Sequence, residues 1–402
     1  MTRFQSTLFW LLAVVSCVIG YTILSNDTLR KLPLPGNDFD IKSGALLSPI
    51  LRPRVPGSEG SQQVRNHFVD FFKTSLPKWD IAYQNSTSKT PATGDREIPF
   101  INVIMSRDPP WTKAGEISRL TLVAHYDSKL TPEGFIGATD SAAPCAMLMH
   151  AARSIDAALT AKWEAMQKEG LGEGGYLGFE DHQGIQIIFL DGEEAFITWT
   201  DDDSLYGARS LAEEWESTLH PATSTFHNPL SQISLFVLLD LLGASRPTVP
   251  SYFKTTHWAY QNMAATEQRM RALSMFKSSP NHPSKKGKPV KAKKGKGKSP
   301  VTKRREPKFL VDAKKAGDQW LGGYIEDDHV PFMVRGVEVL HIIPNPFPTV
   351  WHHSDDDGEH LDLDTVVDWA MLTSAFTAEW LNLEGHFDEA AKRTTKHSRS
   401  EL

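Results

Sequence analysis

From about residue 54 onward the chain alternates short apolar runs with longer stretches in which apolar positions recur every three to four residues. Ile101 to Met105, Leu120 to Ala124, Ile185 to Leu190, Leu235 to Leu239 and Val337 to Ile343 are apolar runs of strand length, the pattern of strands covered on both faces. Gly60 to Lys73 sets Val64, Phe68, Phe71 and Phe72 at helical spacing. Ala142 to Ala158, Leu205 to Trp215, residues 257–276 and Leu363 to Leu383 read as further helices. This alternation predicts an α/β domain with a mostly parallel, mixed sheet flanked by helices. No period repeats along the chain.

Polar chemistry follows the apolar strands. His125 and Asp127 come just after Leu120 to Ala124, Glu193 and Glu194 after Ile185 to Leu190, and Asp240 after Leu235 to Leu239. Open α/β sheets bind ligands beyond the carboxyl ends of their strands. The three clusters are therefore expected on one edge of the sheet, joined by Asp140 before the helix at 142–158 and by His352 beyond a Pro-rich loop.

The adjacent pair Glu193 and Glu194 needs a physical reason, because two like charges at a buried strand end repel. A cation, or a proton-transfer task for one of them, separates their roles. Asp140, Glu194 and His352 provide a three-ligand set of the kind that holds a catalytic zinc with one position open. Glu193 is then left beside the metal as general base or proton shuttle. His353 is an alternative ligand on chemistry alone. With a second zinc on His125, Asp140 and Asp240, the same residues would instead make a co-catalytic peptide hydrolase.

Composition narrows the setting. The two cysteines, Cys17 and Cys145, exclude a disulfide framework and a CxxC metal site. An uncharged run from Leu8 to Leu24 follows Arg3. Its length lies between the apolar centre of a cleaved signal, about 7 to 15 residues, and a spanning helix of about 20. Residues 1–30 are read as a signal peptide or signal anchor, with membrane attachment through residues 8–24 in the second case, and the chain is expected in the secretory pathway, secreted or anchored in the Golgi or endoplasmic reticulum. Asn26-Asp27-Thr28 and Asn85-Ser86-Thr87 are compatible glycosylation tripeptides. Residues 31–45 read as a linker, 46–386 as the catalytic domain and 387–402 as a polar tail.

Charge is unevenly placed. The net charge of −6 becomes −17 once Lys285 to Lys308, with twelve Lys or Arg and one Glu, is set aside. That stretch has too little apolar surface to order itself. It reads as a disordered, solvated insertion within 278–308; an anionic-surface contact is the alternative, and no nucleic-acid partner is expected. The runs Asp201 to Asp203 and Asp355 to Asp357 read as solvated loop charge.

Seven ordered motifs carry a family resemblance: His125-Tyr-Asp-Ser-Lys129, Gly137-Ala-Thr-Asp-Ser-Ala-Ala-Pro-Cys145, Phe189-Leu-Asp-Gly-Glu-Glu-Ala-Phe196, Ser204-Leu-Tyr-Gly207, Leu238-Leu-Asp-Leu-Leu-Gly-Ala244, Asp327-Asp-His-Val-Pro-Phe332 and Pro346-Phe-Pro-Thr-Val-Trp-His352. Together, from about Arg54-Val-Pro-Gly57 to the last helix, the chain resembles the glutaminyl-peptide cyclotransferases. The resemblance implies a three-layer, zinc-exopeptidase-like fold, one zinc per chain, and conversion of N-terminal Gln of peptides or proteins to pyroglutamate with loss of ammonia. It implies zinc ligation by Asp140, Glu194 and His352, a proton shuttle at Glu193 and active-site carboxylates at Asp240 and Asp327. Trp199, Phe347 and Trp351 match the family's pocket aromatics, and the Trp-His register favours His352 over His353. A di-zinc aminopeptidase, two zinc ions per chain, is the rival, against which the tryptophan walls argue.

Two departures stand out. Cys145 lies where family members often carry half of a disulfide, but the partner position is Ala124, so Cys145 reads as a small buried hydrophobe. Glu326, beside Asp327 and Asp328, adds charge near the expected pocket.

Overall fold

A computed structural model describes residues 21–170, 183–285, 304–316 and 325–388. Most of the apolar run 8–24, the stretch 286–303 and the tail from 389 lie outside the described residues. Among the described residues no helix is long and apolar enough to cross a membrane.

The elements run α1 (Asn26–Lys31), α2 (Glu59–Ser75), β1 (Asp80–Lys89), β2 (Glu97–Arg107), β3 (Ser118–His125), α3 (Ala143–Lys168), β4 (Gln183–Leu190), α4 (Tyr206–Ser217), β5 (Ile233–Leu239), α5 (His257–Ala272), α6 (Val330–Met333), β6 (Val339–Ile342) and α7 (Leu363–Trp380). They form a six-stranded sheet in the order β1-β2-β4-β3-β5-β6. β3 pairs in parallel with β4 and β5, and β5 with β6, whereas β1 and β2 are antiparallel additions at one edge. The expected mixed, mostly parallel sheet is present.

Alternation along the strands builds the layers. Leu120, Leu122 and Ala124 of β3, with Ile185, Ile187 and Phe189 of β4, join one buried cluster with α2, α3, α5 and α7. Val123, Ile188, Phe236 and Leu238 point the other way, into a cluster with α4 and Phe332 of α6. The period-2 geometry of strands produces this division, and helices on both faces complete three layers. α7 is buried at every residue from Thr365 to Trp380, because it packs on α3 and is in turn covered. It starts where Asp362 accepts a bond from Thr365 N at 2.9 Å, satisfying a donor that the helix itself leaves free.

The segment 31–45 is not a linker. Leu32 and Phe39 are each 3% exposed, and Asp38 pairs with Arg153 on α3. Pro33, Pro35 and Gly36 give this segment its linker-like composition, yet Leu32 and Phe39 enter the core while Leu34 between them stays exposed. The bounds 278 and 308 also fall inside packed structure: Ser278 N donates to Asp368 at 2.9 Å and Ser279 Oγ to Glu306 at 2.7 Å.

Candidate active site

Because β3, β4 and β5 are parallel neighbours, their carboxyl ends lie side by side and the polar groups that follow them converge. They line one side of a crevice of about 450 Å³ that contains Asp140, Glu193, Glu194, Asp240 and His352, with Trp199, Phe347 and Trp351 around it. All these residues were expected at the site from the sequence. Asp327 is buried and does not line the cavity; its carboxylate is 2.7 Å from His341 Nε2. His353 is exposed, outside every cluster of metal-competent groups among the described residues.

Local backbone chemistry delivers the pair of glutamates. β4 ends at Leu190, and Gly192, at φ 78°, turns the chain where a Cβ would sit 2.3 Å from the Phe100 ring. Only glycine fits that turn. Glu193 N and Glu194 N then donate to the two oxygens of Asp127, at 3.0 and 3.2 Å. Asp127 thus fixes the backbone from which both side chains project.

Asp140 stands in an irregular turn, Ala138–Ala142, that precedes α3 and has non-helical torsions at Asp140 and Ser141. It does not cap the helix. Arg54, fully buried, holds this turn: its guanidinium donates to Gly137 O at 3.0 Å, Asp140 O at 3.2 Å, Tyr126 O and Ile136 O. Asp356, also buried, accepts from Thr139 N and Oγ at 2.8 and 3.0 Å. Asp356 is therefore a positioning group, not solvated loop charge.

Asp203 departs from its expected role in the same way. It accepts from Phe196 N, Ile197 N and Thr198 N at 2.9, 2.9 and 3.0 Å. These bonds shape the loop that carries Trp199, whose indole donates to Glu326 at 3.2 Å. Their signal in the sequence was weak, because a buried Asp within an Asp triplet looks like its exposed neighbours. Lys129 was also unassigned; its ammonium lies 3.1 Å from Glu194 Oε2.

Two clusters of metal-competent groups share Asp140. In the first, His352 Nε2 lies 3.5 Å from Asp140 Oδ2 and 3.6 Å from Glu194 Oε2. Asp140 Oδ2 and Glu194 Oε1 are buried and accept no hydrogen bond. Leaving a buried acceptor unsatisfied costs about 1–3 kcal/mol, and a cation bound among these donors would remove that cost. Imidazole with two carboxylates fits zinc chemistry. Burial lowers His352 to about 4, so its imidazole is neutral and able to ligate at physiological pH.

In the second cluster, His125 Nε2 lies 3.0 Å from Asp140 Oδ1 and 3.3 Å from Asp240 Oδ1, with Nδ1 3.5 Å from Asp127. Burial alone would lower its pKa, but Asp127, Asp140 and Asp240 raise it well above the ordinary value. Asp240 accepts additionally from Ser141 Oγ and from Leu241 N at 2.7 Å. Cys145 is buried beneath, its thiol 3.1 Å from His125 O. A third cluster, Asp327, His329 and His341, is fully buried.

Burial drives Glu193 far above a normal carboxyl pKa; Glu194, Asp327 and Asp328 raise it further, while His125 opposes them. A carboxyl whose protonated form is favoured in this way suits acid–base work.

The peptidase family M28 model matches residues 102–377, which include all of this crevice. The glutaminyl-peptide cyclotransferase-like protein of Bos taurus is 37% identical over 84% of this chain and 74% of its own length. The glutaminyl-peptide cyclotransferase of Boiga dendrophila is 36% identical over 84% and 80%. The solved structure of Macrostomum lignano glutaminyl cyclase superposes with a TM-score of 0.66 at 27% identity, covering 95% of this chain and 97% of that one. The chain thus belongs to the M28 fold family and, within it, to the glutaminyl-peptide cyclotransferases.

Proposed function

We propose that this protein cyclises the N-terminal glutaminyl residue of peptides or proteins to pyroglutamate, releasing ammonia, with one zinc held by Asp140, Glu194 and His352. The observation that carries the reading is the division within the glutamate pair. Glu194 belongs to the three-group cluster with Asp140 and His352, while Glu193 lines the same cavity and remains free to move a proton.

Zinc, when bound, supplies a positive charge that polarises the substrate's side-chain amide. Trp199, Phe347 and Trp351 wall the cavity and exclude water from a small folded side chain. Within it the substrate's α-amine attacks the γ-carboxamide carbon. A carbon–nitrogen bond forms to the amine, and the bond to the amide nitrogen breaks. Glu193 accepts the proton that the amine loses and delivers it to the departing nitrogen, which leaves as ammonia. Asp240, held by Ser141 and Leu241 N, and Asp327, held against His341, are the carboxylates proposed to keep Glu193 and its surroundings in register. Nucleophile and electrophile belong to one residue, so positioning supplies much of the acceleration.

The apolar run 8–24 supports a secretory location, secreted or membrane-anchored, for this activity. The test is mass analysis of products from Gln-initiated and Leu-initiated peptides run in parallel on the zinc-loaded protein. Loss of ammonia from the Gln peptide, with the Leu peptide intact, is expected. Release of free leucine would instead identify a hydrolase.

A further inference from the structure

A second cavity, of about 750 Å³, lies between α5 and the segment 304–314 and shares no residue with the catalytic crevice. Its inner wall carries Arg271, in the last turn of α5 and only 4% exposed at its side chain. The guanidinium is held rigidly. Its Nε donates to Glu267 Oε1 at 2.7 Å, and its plane lies against two buried rings, 4.2 Å from the Phe276 centroid and 4.6 Å from that of Phe309. Neither Nη1 nor Nη2 has a hydrogen-bond acceptor, although both are buried.

Glu267 makes no hydrogen bond to the outer nitrogens; its oxygens also accept from Phe309 N and Leu310 N at 2.8 and 3.0 Å. The nearest other anion is Glu306, whose Oε2 stands 3.6 Å from Nη1, too far for a hydrogen bond. Its other oxygen is engaged by Ser279 and Asn281. Arg304, Lys308 and Lys314 line the same cavity, so four cationic side chains there face two carboxylates. Asn281 and Arg304 close one rim through reciprocal side-chain to backbone bonds of 2.8 and 2.9 Å. Ala264, Ala272 and Leu310 give the remainder of the wall an apolar character.

A buried guanidinium with a fixed plane and two unsatisfied donors matches a two-oxygen acceptor geometrically. We infer that this cavity is a binding site for a small organic oxyanion, its acidic head on the Arg271 fork and its apolar body along α5. A phosphate ester and a carboxylate share this chemistry. The site is independent of the cyclisation reading.

Isothermal titration of the full-length protein with phenyl phosphate, benzoate and inorganic phosphate tests it. Saturable binding of at least one aromatic anion, one per chain, is expected, and the tighter of the two assigns the head group. Glu306→Gln removes the competing carboxylate and should tighten binding up to about fivefold. Arg271→Gln should weaken it at least about tenfold. Lys308→Gln, on the rim, should weaken it in a variant whose fold is not in question. The inference is overturned if neither the unaltered protein nor Glu306→Gln binds, or if Arg271→Gln and Lys308→Gln leave affinity unchanged. It is overturned equally if inorganic phosphate binds as tightly as phenyl phosphate, or if replacing the eight lysines of 286–303 by serine abolishes binding.

Discussion

The two halves of the crevice contain the same residue types and share Asp140, yet they are chemically opposite. On the His352 side the imidazole is neutral, lowered to about 4 by burial, and two carboxylate oxygens lack partners. On the His125 side Asp127, Asp140 and Asp240 raise the imidazole's pKa well above its ordinary value against the effect of burial, and Asp240 is further satisfied by Ser141 and Leu241. One half presents bare carboxylate oxygens and the other surrounds a histidine with carboxylates. A histidinium cannot donate a lone pair to a metal, so protonation of His125 would oppose a second zinc at the place one takes in a two-metal hydrolase. Residue identity alone does not choose between one metal and two; the protonation state of His125 and the metal content do.

The largest effect should come from deleting ligands on the unsatisfied side. His352→Ala and Glu194→Gln are expected to lose bound metal and all measurable activity, whereas His125→Gln should keep the metal with affinity lowered by about 10–100-fold, as for groups that orient ligands. Elemental analysis of the purified variants checks this. Metal retained in His352→Ala and lost in His125→Gln would invert the comparison.

Next in size is Glu193→Gln, which should retain zinc and lose about 10²–10⁴ in kcat, the usual span for a positioned acid–base group. Equal metal loss in Glu193→Gln and Glu194→Gln would erase the division of labour within the pair.

The protonation of His125 makes a pH-dependent prediction. Its folded pKa is raised above the unfolded value of 6.5, so its contribution to stability is complete below about pH 6.5 and is lost as pH rises through the folded pKa. Nitrogen-15 shifts of the ring at pH 7.5 should report an imidazolium, with metal content staying at one per chain. A neutral ring accompanied by a second equivalent of metal would favour the hydrolase.

The residues on both sides of this contrast are legible in the chain. The strand ends named Glu193, Glu194 and Asp240 because a parallel sheet gathers the residues that follow its apolar runs, with Asp140 joining from the start of a helix and His352 from a Pro-rich loop. What stayed hidden was the polar scaffolding. Arg54 is buried beneath the Asp140 turn through bonds to backbone carbonyls, which leave no periodic mark. Asp203 and Asp356 each belong to an Asp triplet, where only tertiary packing separates the buried acceptor from its more exposed neighbours. β1 was missed for the converse reason: as an edge strand it buries only Gln84, so Asp80 to Lys89 carries no apolar alternation. The same rule that made the central strands legible made this one look like loop.

The smallest effect should appear at the mouth of the unsatisfied half, where Trp199 donates to Glu326. Glu326 is exposed, and beyond Lys129, which is paired with Glu194, no cation lines that part of the crevice among the described residues. A peptide entering with its N-terminal Gln against the glutamate pair must pass its following residues across this carboxylate. A basic residue after the Gln should therefore be favoured over an acidic one. The bond to Trp199 keeps the charge near the aromatic wall, but solvent screens it, so the preference belongs to the range of exposed ion pairs, about 0.2–1 kcal/mol. Glu326→Gln should lower the ratio of kcat/KM between Gln-Lys and Gln-Glu peptides by up to about fivefold, and the ratio should also shrink as salt is added. A ratio insensitive to both the substitution and the ionic strength would mean that the chain beyond the first residue leaves the crevice on its other side.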